Sequence, residues 1–198
     1  MKIFSNLILA GSMLVLASSV QTVSAQNKAV KMTNPLLQKS ALQYQAPSFN
    51  LIKDEHFKPA FEYGLTVQDK EILAIANNAA KPTFQNTVLA LETSGEDLKR
   101  ATGMFYNLTS SNTNPTLQAL QAEYAPIFSA HSDKMYLNSK LYKRFKSIDL
   151  NSLKGEDKKL TESYIQDFEL AGANLSDADK EKMKKINGEP VSYTHLTL

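Results

Sequence analysis

The fold is decided by residues 56–78, which read HFKPAFEYGLTVQDKEILAIANN. Large apolar side chains recur in this stretch near multiples of 3.6 residues, as along one stripe of an amphipathic helix. The members of the stripe are Phe57, Phe61, Leu65, Ile72 and Ile75. This spacing predicts a long helix with one buried face, which ends before Lys81-Pro82 because proline cannot continue a helix.

Further helices follow, each behind a residue type that is common at a helix start. The predicted starts are Thr83, Asn114, Asn138 and Ser176, and a further helix follows the break at Lys154-Gly155. Gly95 interrupts the apolar pattern of the helix that begins at Thr83, which predicts a kink or a short break there. Strand-like alternation is not sustained anywhere, so the sequence predicts an all-α fold.

Composition excludes several classes of function. The 198 residues carry 22 Lys and Arg against 20 Asp and Glu, and this balance gives no global basic field for nucleic acid. The chain has no Cys, which excludes disulfides, thiolate metal ligands, a Cys nucleophile and lipid attachment at a Cys.

Residues 1–25 have the pattern of a cleaved signal peptide. A short positive start at Lys2 precedes a mostly apolar run, and Val23-Ser24-Ala25 offers small or compact residues for cleavage. Polar residues interrupt the run, so a retained membrane anchor is the poorer alternative. We therefore predict export, most simply to a bacterial periplasm, with an extended N-terminal arm over residues 26–50.

The sequence lacks the common motifs of catalytic and metal-binding sites. The sequence contains no His-Glu-x-x-His zinc motif, no phosphate-binding loop and no Gly-x-Ser-x-Gly nucleophile elbow. Its three histidines, His56, His131 and His195, are far apart. His131-Ser132-Asp133 supplies at most two ligands, which make a weak metal site. We therefore predict no catalytic, cofactor-binding or metal-binding residue in this chain, and we interpret Asp54 and Glu55 as helix-start acids.

Several tyrosines leave two interpretations open. They are Tyr106, Tyr124, Tyr136 and Tyr142. Sequence alone does not separate the lining of a groove from packing in a core.

A set of short motifs carries a family resemblance. In chain order they are Asn34–Leu37, Pro59–Gly64, Pro82–Thr87, Ala90–Glu92, Ser94-Gly95, Asn112–Pro115, Ala125-Pro126, His131–Asp133, Tyr136–Asn138 and Ala171–Ser176. Together they resemble the N-terminal portion of the thimet-oligopeptidase-like zinc metallopeptidases, nearest to the bacterial peptidyl-dipeptidases. The resemblance implies a helical two-lobed clamshell, in which zinc activates water and dipeptides are removed from the C-terminus of oligopeptides.

That resemblance implies zinc and oligopeptide substrates for a full-length parent enzyme, whose catalytic residues would lie beyond the matched region. We expect residues 51–190 to be the helical N-terminal region of the peptidase. Residues 191–198 do not continue the family pattern, and we expect them to be artefactual. The chain would then be an N-terminal fragment that is inactive alone. The alternative is a non-catalytic helical module that binds peptides or a partner.

Overall fold

The computed structural model describes residues 28–31 and 33–188 and confirms the all-α class for this part of the chain. Its α-helices are α1 (Phe57–Ala76), α2 (Ala90–Glu92), α3 (Glu96–Ser111), α4 (Pro115–Tyr136), α5 (Ser139–Lys146), α6 (Gly155–Ala171) and α7 (Asp177–Gly188). A π-helical turn over Phe84–Leu89 leads directly into α2. Short 3₁₀ turns fill much of the chain before α1.

Helix starts follow the predicted caps. The Thr83 side chain accepts a hydrogen bond from the Asn86 backbone N–H, and Asn114 accepts one from the Leu117 N–H. The Asn138 side chain caps α5 in the same manner. These contacts satisfy backbone donors that a first helical turn leaves without a partner.

Helix α1 takes part in two separate apolar clusters. Its first half, with Phe57 and Phe61, lies in what we call the N-terminal core, whereas Ile72 and Ile75 lie in the C-terminal core. One helix therefore connects both halves of the described molecule.

Aromatic rings dominate the N-terminal core. The Phe61 ring centroid lies 5.2 Å from that of Phe105, 5.0 Å from that of Tyr124 and 5.1 Å from that of Phe128. Phe57 stands 5.2 Å from Phe105 in an edge-on arrangement. Edge-on and tilted contacts of this kind are the favoured geometries of aromatic pairs.

The C-terminal core combines rings with a buried cation. Phe145 lies 5.1 Å from Phe168, and both side chains are fully buried. Beside them the guanidinium of Arg144 donates hydrogen bonds to the backbone carbonyls of Asn78 and Ala80, and also to the side chains of Asn86 and Thr87. Those partners all precede α2, so Arg144 fixes the loop after α1 to helix α5.

A close approach joins α1 to α3. A Cβ atom placed on Gly64 would lie 2.8 Å from the Leu98 Cα and 3.0 Å from its backbone nitrogen. Contacts this short exceed van der Waals tolerance, so the absence of a side chain at residue 64 permits the two helices to pack closely.

Residues before α1 differ from the extended arm that the sequence predicts. Three 3₁₀ turns, Pro35–Leu37, Gln43–Gln45 and Phe49–Leu51, interrupt this segment. Leu36 and Leu37 are buried in the N-terminal core. A short apolar pair gives no periodic signal, which is why the sequence did not reveal this anchor.

The predicted signal peptide over residues 1–25, the tail over residues 191–198 and His195 lie outside the described residues. Among the helices that the structure describes, none is both long enough and apolar enough to cross a bilayer.

Candidate functional site

A polar seam lies between the two cores, and we define it as Gln68, Asp69, His131 and Lys134. His131 Nδ1 stands 2.9 Å from Asp69 Oδ1, and His131 Nε2 stands 2.8 Å from Gln68 Oε1. The other oxygen of Asp69 pairs with Lys134 Nζ at 3.1 Å. The seam therefore ties α4 to the middle of α1.

Burial lowers the pKa of His131 below the usual histidine value. The nearby carboxylate of Asp69 acts in the opposite direction, and the ammonium of Lys134 adds to the lowering. The net effect favours a neutral imidazole at neutral pH.

Gln68 is held from its other side by the turn before α3. Gly95 has φ +66°, and a Cβ at this residue would collide with the Gln68 amide. The Gly95 N–H donates to Glu71 Oε2 at 2.8 Å, which anchors the turn to α1 as well. A glycine is required here both for the left-handed backbone and for the close approach of the amide.

A small cavity of about 270 Å³ opens beside the seam. Its lining includes Gln68, Leu98, Tyr106, Phe128, His131 and Met135. The walls are mainly apolar, and the amide and the imidazole supply polar edges.

A larger groove of about 1050 Å³ runs between the first turns of α1 and α4. Its apolar floor is formed by Pro59, Pro115, Ala119 and Leu120. Both prolines lie in first helical turns, where the missing N–H costs no hydrogen bond and the fixed φ makes the wall rigid.

Charged side chains form the rim of this groove. Lys58 Nζ lies 2.6 Å from Glu123 Oε1, and this ion pair bridges α1 and α4. The Tyr124 hydroxyl donates to Glu62 Oε1 at 3.3 Å. Burial, reinforced by the charge of Glu62, raises the pKa of Tyr124, so this phenol stays a hydrogen-bond donor at neutral pH. The groove has the shape and the mixed polarity to receive a peptide segment.

The described residues do not fit a zinc ion. Within residues 28–31 and 33–188, no group of three or more His, Asp or Glu side chains is placed to hold a metal. His131 is bound to Asp69, while Asp133 instead accepts from Asn187 Nδ2 at 2.7 Å. The two residues of the weak ligand pair therefore have different partners, and we derive no chemical step through zinc here.

His56 has a local structural role. Its Nδ1 accepts a hydrogen bond from the Lys53 backbone N–H at 3.1 Å, just before α1 begins. Asp54 and Glu55 lie in the same first turn, where negative charge is favourable. This placement agrees with their interpretation as helix-start residues.

The tyrosines divide between the two interpretations that the sequence left open. Tyr124 packs on Phe61, and Tyr136 and Tyr142 pack on Phe168, so these three belong to the cores. Tyr106 instead lines the small cavity beside the seam.

Sequence reasoning missed Gln68 and Asp69, the partners of His131. Polar residues within a helical pattern normally face solvent, and nothing in the local sequence marks Asp69 as an exception. His131 is 63 residues further along the chain than Gln68. A weak signal was available, because both Gln68 and Ile72 occupy the apolar stripe of α1.

The amino-acid sequence of this chain is similar to part of several bacterial peptidases. The chain is 44% identical over 161 residues to the dipeptidyl carboxypeptidase of Salmonella typhimurium, and 40% identical over 165 residues to that of Escherichia coli. It is 28% identical over 163 residues to oligopeptidase A of Haemophilus influenzae. No protein-family model matches the chain.

These matches cover about four-fifths of the chain and confirm the predicted resemblance to the thimet-oligopeptidase-like peptidases. The chain spans about a quarter of the length of the dipeptidyl carboxypeptidases that it matches.

Proposed function

We propose that this chain supplies the N-terminal helical region of an exported zinc metallopeptidase that removes dipeptides from the C-terminus of oligopeptides. The observation that carries the proposal is the 44% identity over 161 residues to a dipeptidyl carboxypeptidase. In this proposal residues 51–190 are the helical N-terminal region of the enzyme, and the zinc ligands belong to a part of the parent protein outside these 198 residues.

The parent enzyme is tested through its gene and its product. We expect the native reading frame to encode His-Glu-x-x-His downstream of the matched region. The purified product should release a dipeptide from the C-terminus of an oligopeptide and lose that activity in a zinc chelator. A full-length product that cleaves only at internal bonds, or not at all, contradicts the proposal.

The 198-residue chain is proposed to be inactive alone. Its sequence lacks the zinc motif, and the described histidines are bound to other partners. We expect the purified chain to release no dipeptide and to retain no stoichiometric zinc after dialysis. Zinc-dependent hydrolysis by this chain would overturn this part of the proposal.

Export is proposed on the pattern of residues 1–25. Expression in a Gram-negative host should yield a periplasmic product that begins at Gln26. Intact Met1 in the cytoplasmic fraction would contradict export.

A second candidate function is a non-catalytic module that binds peptides. The groove between α1 and α4 favours it, because an apolar floor with a charged rim suits a peptide segment. Fluorescence anisotropy with labelled oligopeptides tests this candidate, and the Glu123→Gln variant serves as a probe of the rim. A native stop codon soon after Glu189, together with peptide binding by the chain, would favour it over the first proposal.

A further inference from the structure

The two nitrogens of His131 both have hydrogen-bond partners, and both partners are oxygen atoms. A neutral ring has only one N–H and cannot donate to both. Nδ1 faces Asp69 Oδ1 at 2.9 Å, and Nε2 faces Gln68 Oε1 at 2.8 Å. A neutral imidazole has one donor and one acceptor, whereas a protonated one donates from both nitrogens. With two oxygens as partners, the arrangement suits the protonated ring.

Neutralising the ring changes what Gln68 must offer. The carboxylate of Asp69 can only accept, so the neutral ring keeps its hydrogen on Nδ1 and presents a lone pair at Nε2. The amide of Gln68 can satisfy that lone pair only with its NH₂ group, after a half-turn that exchanges oxygen and nitrogen. The orientation of such an amide is assigned from its hydrogen bonds, so both orientations are chemically available.

We propose that the polar seam is a pH-sensitive device, a switch in which the side-chain amide of Gln68 flips when His131 gains or loses its proton. Gln68 is confined between the imidazole of His131 and the turn at Gly95, so its amide faces the ring in either orientation. Gln68 also lines the small cavity, so the reversal exchanges a hydrogen-bond acceptor for a donor in that wall.

Charged and titratable groups surround the ring on the elements packed against it. Asp69 faces it from α1, Lys134 from its own helix, and Lys99 and Tyr106 line the neighbouring cavity from α3. Lys99 Nζ is bound to the Glu92 carbonyl at 2.7 Å. Burial outweighs the attraction of Asp69 and lowers the pKa of His131.

Stability should therefore fall on acidification. The folded state holds its His131 proton less tightly than the unfolded chain, whose histidines titrate near the ordinary value of about 6.5. The unfolded state consequently binds more protons as the pH falls through that value. The stabilisation from neutral His131 is fully present above the pKa of the unfolded state. It is completely lost once the pH lies below the lowered pKa of the folded state.

Nuclear magnetic resonance on the isotope-labelled 198-residue chain tests the device directly. We expect the His131 ring signals to titrate with a midpoint below the ordinary histidine value and to report a proton on Nδ1 at high pH. The side-chain NH₂ signals of Gln68 should shift with the same midpoint, and one of its protons should exchange slowly with solvent only above that midpoint. A His131 midpoint above the ordinary value, or Gln68 signals that do not follow it, would overturn the proposal.

Chemical unfolding gives a second readout with a matched control. The urea midpoint of the wild-type chain should decrease between pH 7.5 and pH 5, and this decrease should become smaller in His131→Gln. The control is His56→Gln, which removes an imidazole outside the seam, and an equally reduced decrease in this variant would overturn the assignment to His131. If His131→Gln does not fold, the ring and amide titrations of the wild-type chain still decide the question.

Discussion

The two cores of this molecule are built on the same helix but depend on different physics. In the N-terminal core, rings pack on rings around Phe61, and stability follows from apolar burial and ring geometry. In the C-terminal core, the rings of Phe145 and Phe168 share the interior with the guanidinium of Arg144. A substitution in the N-terminal core should therefore lower the free energy of unfolding according to the side-chain volume that it removes. In the C-terminal core the loss should also depend on the hydrogen bonds of Arg144.

The largest expected effect on stability comes from removing the central ring of the N-terminal core. Phe61 is fully buried against four other rings, so Phe61→Ala should lower the free energy of unfolding by about 3–5 kcal/mol. Phe168→Ala should cost a similar amount in the C-terminal core, and Leu170→Ala, at a 75% exposed residue, should change stability by less than about 0.5 kcal/mol. Urea unfolding measures all three. A Phe61→Ala variant as stable as Leu170→Ala would refute the ring-packed core.

Arg144→Ala tests the polar part of the C-terminal core. The substitution removes the hydrogen bonds that the buried guanidinium makes, including the one to the buried Thr87 hydroxyl, together with the packing of the side chain, and we expect a loss of about 2–4 kcal/mol. The control is Lys146→Ala, which breaks only an exposed ion pair to Glu169 and should cost less than about 1 kcal/mol. Equal losses in the two variants, measured by urea unfolding, would show that the two cores do not differ as described.

Gly64→Ala tests the close contact between α1 and α3. The added methyl group would meet the backbone of Leu98 at 2.8 Å, which should cost about 1–3 kcal/mol through displacement of the helices. Gly103→Ala in α3 is the matched control, because nothing lies within 4 Å of its new Cβ. There the higher helix propensity of alanine should stabilise the chain by about 0.5–1 kcal/mol. Thermal unfolding by circular dichroism should therefore move in opposite directions for the two glycines.

The smallest expected effect concerns the start of α4. Asn114 caps this helix and also donates to Asp54 Oδ2 at 2.9 Å, so Asn114→Ala should cost about 1 kcal/mol. Asn114→Ser keeps a capping oxygen but gives up the amide donor to Asp54. A loss in Asn114→Ser as large as that in Asn114→Ala would assign the stabilisation to the Asp54 contact rather than to the cap.

The helices themselves could be predicted because their signals are local. A 3.6-residue stripe identified α1, and Asn114 followed by Pro115 gave the start of α4. The break at Gly95 was also predicted, and it is a left-handed residue in the structure. Each of these features depends on residues within one or two helical turns.

The division into two cores could not be predicted, since a stripe shows which face is buried but not against what. The partners of Arg144 lie 57–66 residues earlier in the chain, and Gln68 lies 63 residues before His131. Pairings at such separations depend on the packing of the whole helical array. The π-helical turn over Phe84–Leu89 likewise carries no pattern that distinguishes it from an ordinary helix start.

The contacts of Arg144 have a consequence for the order of folding. Helices α1 and α3 meet mainly through apolar side chains such as Phe61 and Phe105, whose contacts do not require exact geometry. The guanidinium instead makes directional hydrogen bonds to groups 57–66 residues earlier in the chain, and these bonds require the loop after α1 and helix α5 to be in their final positions. We expect these hydrogen bonds to form after the rate-limiting barrier to folding. Replacing Arg144 should then accelerate unfolding while the folding rate stays nearly unchanged, so this residue determines how long the native state lasts once formed.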